Sequence, residues 1–132
     1  MADVNVHQDP ISDLVVFRVT GMPEAAELID VASAHFRQTP SRYVLWDLRQ
    51  AEMNAITLED MRELARRASD FADARRTPHT AIVVGDQSKR LLMRLYEAVA
   101  ENEQANVIYR IFDEPGEAYD WFGAAGMRRN CA

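Results

Sequence analysis

Cysteine is almost missing from this chain. The single Cys131 among 132 residues excludes an internal disulfide framework and any multi-cysteine zinc site. Long apolar runs are missing too: no stretch approaches the roughly 18 consecutive apolar residues that a membrane-spanning helix requires. The opening MADVNVHQDP carries two aspartates and no basic cluster ahead of an apolar stretch, unlike a secretory signal. A cytoplasmic protein without a transmembrane segment is expected. Gathered positive charge is the third absence. The formal charge is −6, whereas neutralising phosphates needs Lys and Arg clustered on one face, so no nucleic-acid partner is expected. The arginine doublets Arg66-Arg67, Arg75-Arg76 and Arg128-Arg129 are interleaved with acids or lie near the end, and read as solvated surface charge.

Signatures of chemistry are equally sparse. His7, His35 and His79 fall in different segments, with no cysteine or carboxylate at metal-ligand spacing. No Gly-x-Ser-x-Gly elbow surrounds a serine, and no Gly-x-Gly-x-x-Gly or Gly-x-x-x-x-Gly-Lys loop follows a strand pattern. Neither a metal nor a cofactor is expected. No base and nucleophile can be paired, which points away from an enzyme.

What is present reads as one α/β domain. Hydrophobic residues make up 48% and charged residues 27%, ordinary globular usage. The length suits a single core, assigned to residues 1–123, with 124–132 as a flexible C-terminal tail. Val4 and Val6 alternate, Asp9-Pro10 and Ser12-Asp13 supply turn chemistry, and Leu14 to Val19 follows, predicting an N-terminal β-hairpin. Pro23 opens a helix with Ala25, Leu28, Ile29, Ala32 and Phe36 on one face. Tyr43 to Leu48 is a strand. A polar connection from Arg49 leads to Thr57, placed to cap a helix whose apolar stripe is Leu58, Met61, Leu64, Ala65, Ala68, Phe71 and Ala72. The run from His79 to Gly85 is apolar at consecutive positions, as in a strand covered on both faces, and is assigned as the central strand. A helix with Leu91, Leu92, Leu95, Tyr96 and Val99, a strand from Val107 to Phe112 and a short helix with Ala118, Trp121 and Phe122 complete the chain. The expected fold is therefore α/β: a mixed, mostly parallel sheet of four to five strands, a hairpin at its start, and four helices on its two faces.

Ligands of open α/β sheets gather where loops leave the carboxyl ends of strands. Two such junctions carry polar residues. Asp47 ends a strand; the acidic pair that a phosphate-accepting aspartate needs is replaced by Thr20-Gly21, so capping of the turn between Arg49 and Ala55 is the competing role. At the second junction, Gly85-Asp86-Gln87-Ser88-Lys89-Arg90 offers bare N–H groups, a hydroxyl and two cations to an anion, although Asp86 or Ser88 can also cap the helix. Asp47, Arg49, Asn54, Thr57, Glu59, Asp86 and Ser88 are the candidate partner- or ligand-binding residues. Trp46, Trp121 and Tyr96 either line a small apolar pocket or are core.

The succession LVVFRVTG, YVLWDLRQ, TLEDMRELARRA, HTAIVVG and IYRIFDEPGEAYDWF, from about Leu14 to Gly123, resembles the SpoIIAA-like proteins, relatives in shape of the STAS domains of anti-sigma-factor antagonists and transporter tails. The resemblance implies a regulatory or binding role rather than catalysis. In its phosphoswitch members a serine in an Asp-Ser-Gly-type turn opens the helix after the Asp-Leu strand. Here that region reads Asn54-Ala55-Ile56-Thr57, leaving Thr57 as the nearest hydroxyl. Two functions are expected on this basis. One is a non-catalytic module that recognises a protein partner or small ligand through the loop and helix after Asp47, compatible with a homodimer. The other is a carrier of a small apolar or lipid-like ligand between sheet and helices, where Met61 and Met93 would make a deformable wall.

Overall fold

The computed structural model describes residues 2–9 and 11–128. Its first two strands, β1 (Asp3–Asp9) and β2 (Leu14–Gly21), form the antiparallel hairpin, with Asp9 opposite Leu14. Asp13 closes the turn at φ +55°, a left-handed conformation that aspartate tolerates better than most residues. Then come α1 (Ala25–Gln38), β3 (Tyr43–Ala51), α2 (Leu58–Asp70), α3 (Ala72–Arg75), β4 (His79–Val83), α4 (Gln87–Asn102), β5 (Ile108–Phe112) and α5 (Pro115–Ala124). The five strands lie in the order β1-β2-β3-β4-β5, parallel from β2 onward.

That order fixes the layering. Each crossover advances the sheet by one strand in the same direction, so right-handed connections put α1, α2 and α4 on one face. Accordingly α2 packs against both α1 and α4, while α5 alone lies on the other face, against β3, β4 and β5. Alternation along β3 serves the two cores: Val44 and Trp46 point toward the helical layer, and Tyr43 and Leu45 toward α5.

Helix starts follow from local chemistry. Thr57 accepts the Asp60 backbone N–H at 3.1 Å while the Asp60 carboxylate accepts the Thr57 N–H at 2.9 Å, a reciprocal cap. Glu24 with Glu27 and Glu114 with Glu117 build the same box for α1 and α5, and Asp86 caps α4.

Several expectations are corrected. The middle of the sheet is β3, not the His79 strand, because β5 adds on one side and the hairpin on the other; β4 is nonetheless buried on both faces. Among the described residues there are five helices, because the stripe after Thr57 breaks at Phe71. There the N–H turns back to Ala68 at 3.2 Å, a tightened last turn, and the ring packs against Phe36. β3 continues past Leu48, since Gln50 and Ala51 pair with Thr20 and Gly21 beyond an irregularity in register. Arg49 is thus a strand residue, and the connection to α2 spans only 52–57. Past Gly123, Met127 is buried and donates its N–H to the Phe122 carbonyl at 2.9 Å. Cys131 lies outside the described residues, within which no helix is long and apolar enough to cross a membrane.

Candidate functional site

At the carboxyl ends of the parallel strands, Asp47 is only 4% exposed. Its carboxylate is gripped by Arg49: Nε to Oδ1 and Nη2 to Oδ2, each at 2.9 Å, with the Arg49 backbone N–H at 3.2 Å. Arg18 stands 3.6 Å away. The Arg49 guanidinium, outweighing burial, holds the Asp47 carboxyl below the usual carboxylate range. The capping role is therefore filled by one neighbour, using both its main chain and its side chain.

The second junction is tied to the first. Lys89 Nζ donates to the Leu48, Arg49 and Ala51 carbonyls at 3.0, 2.9 and 3.1 Å and stands 3.3 Å from Asp86. Gly85, at φ +79°, leaves room for the Arg49 side chain: a Cβ there would lie 3.0 Å from Arg49 Cγ. Arg90 is paired with Asp113 at 2.8 Å. Both cations nominated for an anion are thus turned to protein acceptors, and Ser88 is exposed in the first turn of α4. The structure brings Asp47, Arg49 and Asp86 together through Lys89. It does not bring Asn54, Thr57 or Glu59 to them: Asn54 is exposed, Thr57 caps α2, and Glu59 pairs with Arg62.

The Asp47 grip gives a pH prediction. A carboxylate with a depressed folded pKa contributes stability above its unfolded pKa near 3.9 and loses it as pH falls through the folded value. Asp47→Ala should cost about 1.5–3 kcal/mol at pH 7, the worth of hydrogen bonds to charged groups. Urea unfolding at pH 7 and pH 3 should show the gap from the parent narrowing in acid.

A cavity of about 100 Å³ lies between the sheet and α1, α2 and α4. Phe36, Trp46, Met53, Ile56, Met61 and Met93 supply apolar walls, and Ile29, Leu64 and Ala68, all partly exposed, belong to its α1–α2 rim. Met53 and Ile56 come from the connection after β3, so that segment turns its apolar side chains inward. Trp46 and Tyr96 share this cavity. Trp121 is on the opposite face, against His79, Phe112 and Phe122.

One end of the cavity is polar. Arg75, read from sequence as solvated, is 2% exposed. Its Nε donates to the Ser41 carbonyl at 2.7 Å, and Nη2 to the Arg42 carbonyl and Thr80 Oγ1, both at 3.3 Å. The guanidinium carbon sits 4.9 Å above the Phe36 ring. Burial pulls its pKa down to about 10, so it is charged at neutral pH. Beside it the Tyr96 and Tyr109 hydroxyls bond each other at 2.9 Å, both raised above the ordinary phenol value by desolvation. A signal for Arg75 exists in the sequence: Met61, Ala65, Ala68, Ala72 and Arg75 follow each other at alternating spacings of four and three, so Arg75 continues the buried stripe.

Neither a protein-family model nor a curated protein matches this chain. Among the described residues no group of three or more His, Cys, Asp or Glu could hold a metal ion. The chemistry on offer is that of a soft apolar enclosure with one buried cation.

Proposed function

We propose that this protein is a non-catalytic binding module that holds a small, largely apolar molecule between its sheet and helices. The observation carrying this reading is the cavity itself. Domain interiors are close-packed, and voids larger than a water molecule are few. Here about 100 Å³, partly open at the α1–α2 rim, is lined by aromatic rings and three methionines, and the methionines reshape around a guest at little cost. That size lies somewhat below the roughly 150 Å³ engineered cavity known to admit benzene, so the guest is small or α1 and α2 part to admit it. Met53 and Ile56 make the connection after β3 part of the same site. Recognition through the outer surface of that connection has less support, since Thr57 and Glu59 are engaged in the start of α2. The resemblance to SpoIIAA-like proteins favours binding over catalysis in either case.

Thermal unfolding with toluene and hexan-1-ol tests the proposal. Both should raise the midpoint of the parent protein. Ala68→Leu, which adds volume at the rim, should fold with unchanged or higher stability and lose that response. Equal shifts in parent and variant, or none in either, would remove the cavity as the binding site.

A further inference from the structure

We infer that the guest is an apolar monocarboxylate whose carboxylate pairs with Arg75. The inference rests on the cavity reading above and adds the chemical class of the ligand. Arg75 lies inside the protein with only neutral acceptors: two carbonyls and one hydroxyl. Among the described residues no carboxylate lies within ion-pair distance of it. Buried cations are ordinarily paired, because the penalty for taking a charge out of water is recovered only by an opposite charge in good geometry. The neighbouring groups do not supply one at contact: the Asp13 carboxylate acts on Arg75 only from beyond ion-pair distance and stands 4.0 Å from Arg76. His35 is disfavoured as a cation by burial and by the Arg75 charge, and Tyr96 and Tyr109 are neutral.

The polar end of the cavity narrows the anion. A guanidinium presents parallel donors that match a planar carboxylate. Of the two linked tyrosine hydroxyls, one donates to the other, and the acceptor's own proton is left to donate elsewhere. A single negative charge would neutralise Arg75 one for one, whereas a phosphate dianion would leave surplus charge in an apolar enclosure. The remaining walls, with Phe36, Trp46, Met61 and Met93, suit a hydrocarbon or aryl tail. At the rim, Arg67 is already paired with Glu63 at 2.8 Å, which leaves Arg75 as the cation facing the interior.

The test compares hexanoate with hexan-1-ol at pH 7 by calorimetry on the full chain, repeated with Arg75→Met and Tyr109→Phe. Hexanoate should bind the parent at least about tenfold more tightly than the alcohol, as charge-assisted hydrogen bonds imply. Arg75→Met should abolish this preference while still binding hexanol. Tyr109→Phe, which removes one hydroxyl of the pair and leaves Arg75 in place, should lower the preference without abolishing it, and the preference of the parent itself decides the inference if Arg75→Met does not fold. Equal affinity for acid and alcohol in the parent would overturn the carboxylate inference and leave the cavity reading standing. Failure of both to bind would overturn the two together.

Discussion

Phe122→Ala should lower the unfolding free energy by about 3–5 kcal/mol, the usual cost of removing a fully buried aromatic ring. Phe122 is 0% exposed and lies 5.5 Å from the Tyr43 ring, in the core that α5 alone covers. On the opposite face α1, α2 and α4 pack on each other and can shift to fill a void. Here no second helix among the described residues can lean in, so the space left by the ring stays open and the penalty sits toward the upper end. The same residue anchors the chain beyond the helix, because its carbonyl accepts the Met127 N–H. Urea unfolding should show a lower midpoint with an unchanged slope. A cost below about 1 kcal/mol would mean that α5 is not docked as described.

Most of the layering was legible in sequence because each element carries its own local signal. Thr57 three residues before an acid, Pro115 at a helix start, and apolar residues at helical or strand spacing are decided within a dozen positions. The readings that failed depend on what lies across the sheet. Whether β3 stops at Leu48 or runs to Ala51 is set by its pairing with Thr20 and Gly21, far away in the chain. A run buried on both faces identifies an interior strand but cannot say which, so nothing local separates His79 to Gly85 from the middle strand. Lys89 looked free to meet an anion, yet three carbonyls at the end of β3 claim it. At Arg75 the charge argues for the surface, while its place in the stripe from Met61 to Ala72 points inward. Of the candidate site residues, the structure gathers Asp47, Arg49 and Asp86, and their charges are already satisfied by protein partners. The cavity's polar end depends on α3, β4 and β5 converging, which no local pattern encodes.

Arg75→Met should destabilise the protein by about 2–4 kcal/mol, less than the number of lost bonds suggests. The Arg42 carbonyl keeps a second donor, the His79 N–H at 3.0 Å, and Thr80 can turn its hydroxyl. The Ser41 carbonyl, in a residue that is 0% exposed, loses the donor it has from Arg75 and bears most of the penalty. Methionine retains much of the aliphatic stem, so packing against Phe36 is only partly lost. In the other direction, the variant no longer removes an unpaired charge from water. The two effects oppose, and the hydrogen-bond loss is expected to win because it leaves the buried Ser41 carbonyl without that donor. With the Arg75 pKa near 10 in the fold, the deficit should stay constant from pH 6 to pH 8. Denaturant unfolding across that range measures it. Adding hexanoate should widen the gap, since mass action stabilises only the form that binds the anion. A variant that is more stable than the parent without ligand, and equally stabilised by hexanoate, would mean that Arg75 serves neither the fold nor the guest.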